Sequence, residues 1–235
     1  EKAKLQLKLD VNNTFISDTL PKLHALLGPD LVVSGGARME GSDPPRVYIT
    51  LVVKNAQNGL PVAATQTDGA AEKLFEMMAF VGAELRRQLG LPSLSTRDRR
   101  GLQAELPRSL ESAQLYAEAK AHSSRFDLVG AHRLLSQMVA LEPDYPLGHL
   151  AYADVLLGLG YEEQAREEAR KAFALSTQLP AVERSLIEAR YRESMGEWQR
   201  AFGLYKALRT TLSDSEDYGL SLANAQLRAG LPSDA

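Results

Sequence analysis

Four histidines and one carboxylate-rich run are the side chains of this 235-residue chain whose types could do chemistry. His24, His122, His132 and His149 offer imidazole nitrogens to a metal, but none stands in the His-x-x-x-His or His-Glu-x-x-His spacing that puts two ligands on one helical turn. Structural and surface roles are expected for all four, and no metal. Glu162, Glu163, Glu167 and Glu168 alternate with Arg166, Arg170 and Lys171, which describes a solvated helix face with pairs about one turn apart rather than a catalytic acid and base. Serines are plentiful, yet none lies in a Gly-x-Ser-x-Gly elbow. Gly35-Gly36 could form a backbone nest for phosphate, but no lysine-serine pair follows, and glycine within a strand more often marks a bulge or close packing. There is no Gly-x-Gly-x-x-Gly loop with a downstream strand lysine, no His-Arg-Asp and no Asp-Phe-Gly, so this chain cannot transfer phosphate on its own. No catalytic residue and no cofactor is expected, and the chain reads as a non-enzyme.

Composition narrows the classes further. Content of 44% apolar and 24% charged residues is that of a globular protein with a real core. A net charge of -3 with no basic run argues against nucleic acid as a partner. Absence of cysteine removes disulfides and thiolate sites and fits either a reducing cytoplasm or a cysteine-free extracytoplasmic domain. No window approaches the roughly 18 to 20 apolar residues of a membrane helix. The start at Glu1 rather than Met suggests a piece cut from something longer.

What organises the second half is a period. Ala119, Ala153, Ala189 and Ala223 recur at steps of 34, 36 and 34, and twelve residues after each stands Ala131, Ala165, Ala201 and Ala235. An aromatic residue, Phe126, Tyr161 or Trp198, precedes each of the next three helical segments, where it is expected to plug the hairpin corner. Pro143 follows the first hairpin, Pro180 comes three residues late, and Ser213-Asp214 replaces proline at the third junction. These features resemble tetratricopeptide (TPR) repeats, hairpins of about 34 residues with a small residue wherever the two helices approach closely. The resemblance implies an all-α solenoid over residues 109–235, with repeats at 109–143, 144–180, 181–214 and a truncated 215–235.

Residues 1–90 carry a different pattern. Val47, Ile49, Leu51 and Val53 alternate with Arg46, Tyr48, Thr50 and Lys54, the period of a strand with one buried face. A strand over Leu31 to Glu40 precedes it through the Gly41 to Pro45 turn, and Asn58-Gly59 reverses the chain into a third strand near Val62 to Thr67. Leu5, Leu7 and Leu9 suggest a further strand at the start. Ser17 can cap a helix with Leu20, Leu23 and Leu27 on one face, and Leu74, Met77, Met78, Val81, Leu85 and Leu89 form a longer stripe. The fold class is α+β, an antiparallel sheet with helices on one face, followed by the solenoid. Residues 91–108 read as a connector with a short helix.

The run Gly28-Pro-Asp-Leu-Val-Val-Ser-Gly35, the strand with Arg38, the strand ending near Asn55-Ala-Gln-Asn-Gly59 and the helix ending in Leu-Gly-Leu-Pro at 89–92 resemble the TolB amino-terminal-like sensory module. In the family that module precedes TPR repeats in bacterial serine/threonine protein kinases, often membrane-anchored, and in winged-helix regulators of the acid-sensor type. The phrases Leu-Tyr-Ala-Glu-Ala at 115–119 and Glu-Ala-Arg-Tyr-Arg at 188–192 tilt the resemblance toward the kinase. It implies a sensory, scaffolding region of a signalling protein that binds a protein or peptide partner, with the extracytoplasmic side favoured over the cytoplasm. In TPR arrays the first helix of each hairpin lines the concave wall. The resemblance therefore places Lys120, Asp154, Arg190 and Asn224, each one residue after the small position, on a partner-binding ladder. A second ladder, Tyr116, Leu150, Leu186 and Leu220, is apolar enough to be internal packing.

Overall fold

The computed structural model describes residues 20–41, 45–211 and 216–231, apart from the side chains of 216–218. The strand expected at Leu5, Leu7 and Leu9, the Ser17 cap, the middle of the turn after Gly41, Ser213-Asp214 and Ala235 lie outside the described residues. The chain divides into two compact units, Glu1–Ser93 and Leu94–Ala235.

In the first unit α1 (Leu20–Leu27) precedes a three-stranded antiparallel meander of β1 (Leu31–Glu40), β2 (Arg46–Asn55) and β3 (Pro61–Ala70), in the order β1-β2-β3. A short 3-10 turn over Ala71–Lys73 leads into α2 (Leu74–Gln88). Alternation in β2 buries Val47, Ile49 and Val53, and α2 lays Met77, Val81 and Leu85, spaced one turn apart, on that side of the sheet. Its approach to β3 is close enough that a Cβ on Gly69 would stand 2.9 Å from the Met77 sulfur. Gly35 serves the same end: a side chain there would collide with Leu51 and the Thr50 carbonyl of the paired strand. In α1 the apolar face stops after Leu20 and Leu23, since Leu27 is exposed. The Asn55 side chain organises the second reversal by accepting from the amides of Gln57 (2.9 Å) and Asn58 (3.2 Å), with Gly59 at φ 73°.

The second unit opens with α3 (Thr96–Ala104), so the helix expected in the connector belongs to this unit. Consecutive antiparallel hairpins follow: α4 (Leu110–Ser124) with α5 (Leu128–Leu141), α6 (Pro146–Gly158) with α7 (Glu162–Leu175), and α8 (Ala181–Ser194) with α9 (Trp198–Thr211). Then α10 (Glu216–Arg228) packs on α9. Ala119 and Ala131 are fully buried in the first hairpin, as are Ala189 and Ala201 in the third, and Ala153 and Ala165 are buried in the second. A methyl group at each crossing lets the helix axes approach to the short end of the usual 8–10 Å. The larger side chains pack around these crossings: Leu134, Leu135 and Val155 about the first, Tyr205, Leu208 and Ala225 about the third.

Ala223 differs. Gly230 follows it by seven residues, as Gly160 follows Ala153 and Gly196 follows Ala189. It therefore holds the same repeat position, but it is exposed, because among the described residues no second helix follows α10. The buried alanine of α10 is Ala225, two residues on, where the equivalent Val155 of α6 also faces the preceding hairpin.

The corner aromatics are not plugs. Phe126 is 89% exposed and Tyr161 is half exposed, while Trp198 is partly covered with the Arg228 guanidinium 5.6 Å above its ring. They occupy three successive repeat positions rather than one, which explains their different environments. Phe126 holds the place taken by Gly160 and Gly196 in the next hairpins and shares their left-handed backbone, with φ 61° against 84° and 72°. That conformation closes the helix and turns the ring into solvent.

A left-handed residue with a side chain costs about 1–2 kcal/mol, so Phe126→Gly is expected to raise the urea midpoint of the second unit. Ala189→Leu overpacks a closed crossing and should cost about 1–3 kcal/mol. Ala223→Leu, at the same repeat position but exposed, should stay within about 0.5 kcal/mol. Equal losses at 189 and 223 in urea unfolding would contradict the packing described.

Candidate functional site

Each first helix of a hairpin is fixed by the alanine crossing, and the residue immediately after that alanine is carried to the next position around the helix. Lys120, Asp154 and Arg190 thereby come from α4, α6 and α8 within reach of one another, both cations acting on Asp154. Arg190 Nε lies 3.9 Å from Asp154 Oδ1, and Arg190 Nη1 donates to Glu193 at 3.1 Å. Glu193 also accepts from the Tyr205 hydroxyl of α9 at 2.7 Å. Neighbouring protein atoms push the Asp154 carboxyl up although half of its side chain is open to solvent, and the Arg190 and Lys120 charges oppose the shift. Burial works against the Arg190 cation, but Asp154, Tyr205 and Glu193 outweigh it and hold its pKa above the ordinary arginine value. Tyr116 of α4 joins the same field: burial raises its phenol, and the Asp154 charge raises it further.

Lys120 makes no hydrogen bond or ion pair among the described residues. Asn224, the fourth member of the expected ladder, is exposed and likewise makes none. In the second ladder Leu150 is buried and Tyr116 and Leu186 are partly buried, whereas Leu220 is 75% exposed on α10. Glu193 and Tyr205 went unpredicted. The three-residue step from Arg190 to Glu193 was the one sequence signal for the former, and the Tyr205 contact spans two helices.

No family model matches the chain, and no curated protein matches it in sequence. Among solved structures it is similar to the first TPR of Spaghetti (RPAP3) bound to HSP90 peptide SRMEEVD, at 12% identity over 51% of this chain and 96% of that chain, with a TM-score of 0.40. It is also similar to the Sgt2 TPR domain from Aspergillus fumigatus, at 19% identity over 54% of this chain and 89% of that one, with a TM-score of 0.41. The Arabidopsis OM64 TPR domain is similar at 14% identity over 49% of this chain and 94% of that one, with a TM-score of 0.38. At these scores the likeness carries nothing further.

The expected solvated face of α7 needs a correction at one residue. Glu163 pairs with Arg166 and Glu167 with Arg170 on the surface, but Glu168 is buried, because the two-residue step from Arg166 turns it toward α6. There it meets the buried His149, whose Nδ1 is 2.5 Å from Glu168 Oε2 and whose Nε2 is 2.8 Å from the Pro143 carbonyl. Lys171 donates to the other carboxylate oxygen at 2.7 Å. Burial penalises the Glu168 charge, yet the His149 and Lys171 hydrogen bonds prevail and hold its pKa below the usual carboxylate range. His149 is thus a structural tie between the two helices of one hairpin. The other histidines are peripheral: His122 pairs with Asp127 at 2.6 Å, His132 meets the Tyr152 hydroxyl at 3.2 Å, and His24 meets the Pro29 carbonyl at 2.7 Å. Among the described residues no three His, Cys, Asp or Glu side chains cluster as metal ligands.

Glu142, read from sequence only as the neighbour of Pro143, ties the first hairpin to its own start. Its buried carboxylate accepts from the amides of Arg108 (2.8 and 2.9 Å) and Ser109 (3.0 Å), which would otherwise be unsatisfied at the head of α4.

Removing His149 leaves the buried Glu168 carboxylate short of a hydrogen bond, so His149→Leu should destabilise the second unit by about 2 kcal/mol. The Glu168 contribution, arising from a depressed pKa, is fully present above the reference carboxylate value of 4.5 and is lost as pH falls through the lowered value. Glu168→Gln should accordingly flatten the acid limb of stability below about pH 4.5. Chemical unfolding at a series of pH values reads both, and an unchanged acid limb would contradict the assignment.

Proposed function

We propose that this chain is a non-catalytic module that captures an extended segment of a protein partner along the wall formed by α4, α6 and α8. The observation that carries the reading is the presentation of Lys120, Asp154 and Arg190 by three consecutive hairpins, close enough for both cations to act on Asp154, with Lys120 making no hydrogen bond or ion pair among the described residues. The charges alternate, positive, negative, positive. Packed helices step by roughly 8–10 Å, the reach of about three residues of extended chain. The complementary segment therefore carries an acidic, a basic and an acidic side chain at intervals of about three residues, a pattern unlike a single terminal carboxylate. Tyr116, which is partly exposed, supplies flat, half-polar surface beside the charges.

Within a whole protein we place the module in a bacterial signalling protein, as the sensory and scaffolding region of a serine/threonine kinase, on the extracytoplasmic side of a membrane-anchored parent. Support comes from the phrases at 28–35, 115–119 and 188–192. Capture of the partner would shift the population of effector states by its differential affinity for them. Kinase motifs in the coding sequence ahead of Glu1 would bear this out, and a winged helix there would assign the module to a transcription regulator instead.

Panning a displayed library of peptides about 12 residues long, enough to span three hairpins, tests the groove. Enriched peptides should show the acid-base-acid spacing, and their affinity should fall at least tenfold in Lys120→Gln with Arg190→Gln while helicity is retained. Enriched peptides that bind this variant unchanged would remove the groove from the account.

A further inference from the structure

A concave site of different residues from the ladder lies where α3 packs against the corner between α7 and α8. It is a cavity of about 530 Å³, in the size range of small-ligand sites. Arg97 and Arg100 project into its lining from α3 and Arg184 from α8, with Thr177 and Gln178 between them. The cavity is held open by a tight helix contact: Gly101 is buried, and a Cβ there would stand 3.3 Å from Pro180 Cγ. Each wall is thus fixed to the other at one point, with the arginines ranged around it.

Charge sets the lining of this cavity apart from the paired faces of α7, α8 and α9. Several arginines there are neutralised locally: Arg166 by Glu163, Arg170 by Glu167, Arg192 by Glu188 and Glu197, and Arg200 by Glu197. Arg97, Arg100 and Arg184 make no ion pair or hydrogen bond among the described residues. One carboxylate, Asp98, also lines the cavity, where it accepts from the Ser95 hydroxyl at 2.7 Å. Three guanidinium groups against one carboxylate leave an excess of two positive charges around a concave surface that also offers hydroxyl and amide donors.

We propose that this cavity binds a phosphate-bearing small molecule through Arg97, Arg100 and Arg184. Guanidinium forks match the tetrahedral oxygens of phosphate two at a time, and their charge matches a dianion. Thr177 and Gln178 supply further neutral donors at the rim. The site goes beyond partner capture on the ladder and does not depend on it. A phosphate presented as a lipid headgroup has the same chemistry as a free phosphate ester, and the test separates the two.

Calorimetric titration of the chain with pyrophosphate is the first arm. Saturable binding is expected, weakening with added salt. Arg97→Gln with Arg184→Gln should weaken it at least tenfold with an unchanged unfolding midpoint, while Arg125→Gln with Arg133→Gln, an exposed pair on the first hairpin, leaves it unchanged. The second arm pellets the chain with vesicles of phosphatidic acid in phosphatidylcholine. Pelleting that pyrophosphate competes away assigns the headgroup as a source, and no pelleting assigns a free ligand. Absence of saturable binding to the unsubstituted chain in both arms, or equal loss in the control pair, overturns the site.

Discussion

Everything placed on the wall of the second unit depends on helices approaching closely at Ala119 with Ala131, Ala153 with Ala165, and Ala189 with Ala201. A larger side chain at any of these crossings would push the helices apart, and the residue that follows would no longer line up with its equivalents on the neighbouring hairpins. Individually each contact is small, because dispersion between a few methyl atoms is worth a few tenths of a kcal/mol per pair. Their weight lies in repetition. Nearest-neighbour packing makes the stability of such an array a sum over similar interfaces, so a fault at one crossing is felt in both adjoining hairpins.

Polar ties supplement the crossings where the apolar period leaves a gap. Glu142 closes the amide-rich head of α4, and His149 with Glu168 and Lys171 links α6 to α7 at the positions that Leu115 and Leu134 hold in the first hairpin. Both carboxylates are buried and fully engaged, the condition under which a buried charge is tolerable. By contrast Lys120 on the ladder and the arginines around the α3 cavity make no hydrogen bond or ion pair among the described residues. Charge that is satisfied inside marks structure; charge left unsatisfied in a concavity marks what the surface is available to hold.

Much of this was legible in the residues because it is written in local periods. The alternation of Val47, Ile49 and Val53 and the one-turn spacing of Met77, Val81 and Leu85 located β2 and α2, and the alanine period located the hairpins. What escaped was whatever a single helix cannot reveal. The burial of Glu168 depends on a histidine nineteen residues earlier on another helix, so its neighbours on α7 made it look solvated. The exposure of Phe126 follows from a left-handed backbone at a position filled by glycine in two later hairpins, a detail an aromatic count obscures. Ala223 kept its register and lost its burial, since register is a property of sequence and burial is a property of what lies opposite. The nearness of Lys120, Asp154 and Arg190 followed from the repeat spacing, whereas the contacts of Glu193 and Tyr205 needed the third dimension.

Solvent access to individual alanine methyl groups tests the close-approach claim most directly, read by NMR of the alanine-methyl-labelled chain with a soluble paramagnetic agent. The packing described here leaves the methyl signals of Ala119, Ala131, Ala189, Ala201 and Ala225 unbroadened, while those of Ala121, Ala174 and Ala223 broaden with the concentration of the agent. Broadening of Ala119 or Ala189 to the same degree as Ala223 would mean that the helices do not close at these residues, and the ladder they position would have no basis.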